Sequence, residues 1–128
     1  MKTVKLFSLG ALMVVFMLTI PFTPLFALEK TGGIGMTVAQ LYDETTEDHK
    51  GYLVVLDVFR DSPAQNGGIE RGDILTHING RMTKGKDFME LLRNEIRGPE
   101  GKEVTLKIWR YSLEKRLEIK LIRVPMSY

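Results

Sequence analysis

The 128-residue chain contains no cysteine, one tryptophan and two histidines. Without cysteine there is no disulfide, no thiol nucleophile and no thiolate metal site, so an exported domain of this composition is held by its core alone. His49 and His77 carry no paired carboxylate or serine signal and read as solvent-facing rather than catalytic. Net charge is equally scarce: the formal +2 resides in Lys2 and Lys5, and the remainder is balanced. A neutral domain lacks the basic face that a nucleic-acid partner requires. No internal repeat or low-complexity tract is present, and the length accommodates one small domain.

The hydropathy is uneven. Lys2 and Lys5 precede an apolar run from Leu6 to Ile20, broken only by Ser8, Gly10 and Thr19, and Pro21 and Pro24 interrupt it before Ala27. Residues 1–27 therefore read as an export segment. Ala27 suits a cleavage site, whereas the uncharged stretch Leu6 to Leu28 is also long enough, at about 20 residues, to remain as a membrane anchor. Both readings export the chain: cleavage leaves it in the periplasm or cell envelope, and retention anchors it in the inner membrane, with membrane contact through residues 6–28 only in that case.

Beyond it, short apolar runs alternate with turn signals, the pattern of an α+β domain. Ile34, Met36 and Val38 alternate with small or polar residues, and the polar segment YDETTEDHKG follows as a loop. YLVVLDVF (52–59) predicts a central strand buried on both faces. In DSPAQNGG, Ser62 can cap, Pro63 suits the first helical position, Gln65 can complete a capping box, and Gly67 or Gly68 stops the turn. Asp73 to Ile78 reads as a short strand ending at the Asn79-Gly80 turn. Asp87 caps a second helix on which Phe88, Leu91, Leu92 and Ile96 share a face, and Gly98-Pro99 ends it. KEVTLKIWR and KRLEIKLIRV predict an antiparallel pair with Val104, Leu106 and Ile108 facing Leu117, Ile119 and Leu121. Residues 126–128 are expected to fray.

GIGM (33–36), SPAQNGGIERGDIL (62–75), ING (78–80) and IRGPEGKEVTL (96–106) together resemble a PDZ domain, most closely that of the bacterial tail-specific, carboxyl-terminal processing proteases. The resemblance spans nearly everything after residue 32. It implies a single domain over residues 28–125: a small, partly open antiparallel barrel or sandwich of about five to six strands with two helices. The family usually has Ala-Gly-Leu where this chain has Gly67-Gly68-Ile69. It also carries its catalytic serine and lysine in a separate domain, for which this sequence leaves no residues. Ser8, Ser62, Ser112 and Ser127 all lack a nucleophile's setting, so no enzymatic activity, cofactor or metal is expected.

What the resemblance implies instead is capture of another protein's C-terminal residues as an added strand. The N–H groups of Ile34, Gly35 and Met36 would meet the terminal carboxylate, with Gly33 allowing the turn. Thr37, Val38, Ala39 and Gln40 would pair with the guest. Phe88, Leu91 and Leu92 would form the opposite wall, so the guest's last side chain should be apolar. A bulky β-branched residue at Gly35 is expected to abolish binding and leave the fold largely intact.

The implied role is an exported adaptor or regulator of envelope proteolysis, partnered by C-terminal peptides and by a protease. A separately encoded segment of such a protease and a membrane-tethered interaction domain are the alternatives. Other motifs have simpler accounts. Arg71-Gly72-Asp73 is a turn, stabilised by Asp73, rather than an adhesion signal. The acidic segment 43–49 matches no calcium loop and reads as solvated. Trp109 is expected to cover the outer sheet face beside Ile122, and the tail PMSY is a candidate to dock in a neighbour's groove.

Overall fold

Side-chain alternation along the longest strands decides which faces meet. The structure, a computed structural model, describes residues 30–126. In order these form β1 (Thr31–Gly33), β2 (Met36–Tyr42), β3 (Lys50–Val58), helix α1 (Pro63–Asn66), β4 (Ile74–Ile78), β5 (Arg81–Met82), helix α2 (Phe88–Glu90 continuing through Leu91–Ile96), β6 (Gly98–Pro99), β7 (Glu103–Arg110), β8 (Lys115–Ile122) and β9 (Val124–Pro125). The main antiparallel sheet has the order β2-β3-β4-β7-β8, with β5 paired to β4. A second, three-stranded sheet has the order β6-β1-β9. The α+β class and the two helices are as expected; both sheets are open, and no closed barrel forms among the described residues. The strand number exceeds expectation because β1, β5, β6 and β9 are only two or three residues long.

The β7–β8 hairpin pairs Val104 with Leu121, Leu106 with Ile119 and Ile108 with Leu117, as the alternation predicts. Val104, Leu106, Ile108 and Leu121 join Leu53, Val55, Leu75, Ile78, Leu91 and Ile96 in one buried cluster, against which Leu117 and Ile119 pack half-buried. β3 departs from expectation. Gly51, Leu53 and Val55 are buried, but Tyr52 and Val54 are only half covered and Leu56 is 48% exposed. It lies between β2 and β4, with one face on the core. Continuous apolar character hid the alternation that the fold imposes.

Trp109 lies on the outer face as expected but not beside Ile122: it pairs with Arg116 and Ile74 and meets Tyr111 edge-on at 6.0 Å. Ile122 lies at the far end of β8, opposite Glu103. Among the described residues no helix is long and apolar enough to cross a membrane, and the export segment, residues 1–27, lies outside them.

α1 is a single capped turn. The Ser62 hydroxyl accepts from the Gln65 N–H (3.2 Å) and donates to the Phe59 carbonyl (2.7 Å). Gln65 completes the cap one residue earlier than a standard box, its Oε1 accepting from the Asp61 N–H at 2.7 Å. α2 begins as expected, with the Asp87 carboxylate accepting from the Glu90 N–H at 3.1 Å. It then widens: across Leu91–Ile96 the backbone winds as a π-helix, closed by the Arg97 N–H on the Leu92 carbonyl at 3.0 Å. Its last carbonyls meet a buried cation. Arg123, 5% exposed, donates from Nη2 to the Glu95 carbonyl (2.7 Å) and from Nε to the Ile96 carbonyl (3.0 Å). Positive charge at a helix C-terminus complements the exposed carbonyl ends; burial nonetheless lowers the Arg123 pKa below its ordinary value, with nearby Glu95 opposing.

Candidate peptide-binding site

The site grows from the turn between β1 and β2. β1 is held on both sides, pairing Thr31 with Pro99 and Gly33 with Val124. From there Ile34 and Gly35 cross to β2. Their carbonyls are fixed: Ile34 accepts from the Ala64 N–H and Gly35 from the Phe59 N–H, both at 2.9 Å, and the Ser62 hydroxyl approaches the Gly35 carbonyl at 3.2 Å. With the carbonyls turned toward α1 and the loop before it, the Ile34 and Gly35 N–H groups have no acceptor among the described residues. Unpaired backbone donors in a glycine-containing turn form the kind of concavity that receives an anion.

Gly35 is needed twice over. Its φ is +81°, and a Cβ there would sit 2.2 Å from the Ser62 Cβ. The expectation that a bulky residue at Gly35 would spare the fold is therefore wrong, because the turn is packed directly on the cap of α1. Met126 packs beside the same glycine, its Cε 3.5 Å from that Cβ position.

β2 supplies the edge. It pairs with β3 from Met36–Val58 to Tyr42–Lys50, and no strand lies on its other side among the described residues. Ile34 (1% exposed) and Val38 (8%) are core residues, Met36 packs partly against the core, and Thr37 faces solvent. Of the α2 residues expected to form the opposite wall, Leu91 is 4% exposed and belongs to the core cluster, whereas Phe88 and Leu92, one turn apart, are half-buried at its margin. Gln40 joins the two walls. Its Nε2 donates to the Lys86 carbonyl just before α2 at 2.8 Å, and to the Gly51 carbonyl at 3.3 Å.

Charges around the site have structural partners. Asp43 binds Lys84 at 2.8 Å and accepts from the Thr45 N–H and hydroxyl. The Lys84 bond, then the Thr45 bonds, lower the Asp43 pKa to about 2, and the same partner raises that of Lys84. His49 stacks on Tyr42, with ring centroids 4.9 Å apart.

In the Arg71-Gly72-Asp73 turn, Asp73 is 2% exposed and grips Arg110 through two bonds, Nε to Oδ1 at 2.9 Å and Nη2 to Oδ2 at 2.8 Å. It also accepts from the Glu70 N–H at 2.9 Å. Asp73 thus holds the turn, as expected, and is too deeply buried for an adhesion receptor to reach. Arg110 went unnoticed in the sequence; a charged residue at the end of an alternating strand was its only signal. A surface depression of about 750 Å³, lined by Tyr52, Trp109, Tyr111 and Arg116 among others, opens on the outer face of β4, β7 and β8. None of the expected peptide-site residues lines it.

Comparison with known proteins agrees with this geometry. The family model described as "PDZ domain" matches residues 54–110. A probable CtpA-like serine protease of Staphylococcus aureus is 40% identical over 75 residues, covering 59% of this chain and 15% of that protein. A carboxy-terminal-processing protease of Bartonella bacilliformis is 33% identical over 92 residues, covering 72% and 19%. Among solved structures, the photosystem II D1 C-terminal processing protease superposes with a TM-score of 0.61 at 19% identity, over 76% of this chain and 24% of that one. The PDZ domain of a carboxy-terminal protease from Vibrio cholerae, solved in complex with peptide, gives 0.59 at 18% identity, over 77% of this chain and all of its own.

An open β2 edge beside α2, entered through a glycine turn with unpaired N–H groups, is the arrangement of a PDZ domain, the family whose model matches residues 54–110. Within it, this domain is homologous to those of the carboxy-terminal-processing proteases. The chain spans less than a fifth of the length of those two relatives.

Proposed function

We propose that this domain captures the C-terminal tails of envelope proteins as an added strand on β2, acting as a substrate adaptor or regulator of envelope proteolysis. The observation that carries the reading is the pair of unpaired N–H groups on Ile34 and Gly35, placed at the head of an open strand edge. The guest's backbone pairs with Thr37 to Gln40, and its last side chain, apolar, lies between Met36 and Leu92. The similar Vibrio cholerae domain was solved in complex with peptide, which supports peptide binding as the activity. Export through residues 1–27 would bring the site to such tails.

The decisive experiment compares peptides of one sequence with free and with amidated C-termini. Binding of the free acid at least about tenfold tighter is expected; equal binding would overturn the carboxylate role of the glycine turn. Affinity should be modest, because a few residues of added strand bury little area and ordering the guest opposes binding.

A second reading is favoured by the small share of the relatives' length that the chain spans: the domain is the recognition segment of a tail-specific protease. Peptide turnover by the purified chain would establish activity of its own.

A further inference from the structure

We infer that β8, at the edge of the main sheet opposite β2, pairs with β8 of a second copy of this chain in one register. β8 runs for 8 residues, Lys115–Ile122, and ends the strand order. Beyond it no strand lies among the described residues, and its backbone groups bond to no loop or helix there. An open edge of this length offers a row of donors and acceptors to another strand. Its inward side chains are incompletely covered: Leu121 is buried, with Gly67 of the α1 cap against it, whereas Leu117 and Ile119 stay half-buried.

Charge selects the occupant. Lys115, Arg116, Glu118 and Lys120 are all exposed and form no ion pair among the described residues. Two copies related by a twofold axis normal to the sheet pair antiparallel with opposed residues on the same face, so the axis passes through a residue. Placed on Glu118, it sets Glu118 against itself and Arg116 against Lys120. Placed on Lys120, it sets that lysine against itself. On Leu117, Arg116 meets Glu118, but Lys115 faces Ile119 and the end of the strand is left unpaired. Only on Ile119 does everything agree: Glu118 meets Lys120 on both sides of the axis, Leu117 meets Leu121, Ile119 meets itself, and Arg116 to Ile122 is paired throughout. Opposite charges then join on the outer face, and the half-buried apolar residues are covered on the inner one. The β2 edge and the glycine turn of each copy stay free, so this pairing is independent of the guest groove.

A single strand pair lies at the low end of the about 1,200–2,000 Å² that specific interfaces bury, so the pairing is weak in dilute solution and is best trapped covalently. The chain contains no cysteine, which leaves an introduced thiol unambiguous. Full-length Glu118→Cys and Lys120→Cys chains, mixed with an added thiol oxidant, should give at least about threefold more disulfide-linked dimer than either alone, because the two positions are opposed while each lies diagonally from its own copy, beyond disulfide reach. Ile119→Cys, on the axis, should link by itself. Adding Lys120→Glu to it sets carboxylate against carboxylate and should slow linking by about tenfold, and adding Glu118→Lys as well should restore it to within about threefold. A mixture that links no better than its components would overturn the inference, as would a charge swap that fails to restore linking. Free-acid peptide binding should be the same in Lys120→Glu as in the unaltered chain; its loss would overturn the independence of the two edges.

Discussion

Arg110 and Asp73 show how one pair can hold a turn that glycine alone would leave loose. Gly72, at φ +90°, bends the chain, and the guanidinium closes the bend by gripping Asp73 and the Gly68 carbonyl at 2.7 Å. Breaking a buried pair strands the surviving charge, so Asp73→Asn or Arg110→Met should cost roughly 3–5 kcal/mol. Replacing both together should cost clearly less than the sum of the two, as a double-mutant cycle by urea denaturation would show. Gly35→Val should also destabilise, by about 2 kcal/mol or more, because it adds backbone strain to a steric collision; a thermal melt would register it before any binding assay. The glycine turn was legible because motif and spacing coincide. Arg110 and Arg123 were not, because one arginine on a strand looks like another until the fold supplies the carboxylate or carbonyls it meets.

Among the elements, α2 carries the clearest division of labour. Leu91 serves the core, while Phe88 and Leu92 line its open margin. Leu91→Ala should lower stability by about 2–5 kcal/mol. Leu92→Ala should cost much less in stability and weaken peptide binding by about tenfold or more, measured by titration with a free-acid peptide. The sequence marked Phe88, Leu91, Leu92 and Ile96 as one face but could not separate wall from core. Helical periodicity assumes a uniform winding, and the π-helical turn from Leu91 to Ile96 shifts which residues point inward. β3 was misread for the opposite reason. Its outward Val54 and Leu56 are apolar without being deeply buried, so composition alone implied two covered faces. By contrast β7, β8 and both helix caps were legible down to register, because strict alternation and short-range hydrogen bonds decide them locally.

For the molecule as a whole, the Asp43–Lys84 link couples acid stability to the placement of α2. The Asp43 pKa is lowered from an ordinary 3.8 to about 2. The link's contribution is therefore fully present above about pH 4 and is lost as pH falls through about 2. Parent and Asp43→Asn should differ in melting temperature at pH 6, and the difference should vanish near pH 2. At the other end of the molecule, β1 and β9 run antiparallel with Gly32 opposite Pro125. The strand that enters the fold and the strand that leaves it thus form one doorway. A host chain could be opened at a single surface bond and this domain spliced in without moving the two cut ends apart. Because the Ile34–Gly35 turn follows directly inside that doorway, a guest tail would be delivered with its newest end pointing back at whatever the doorway is attached to.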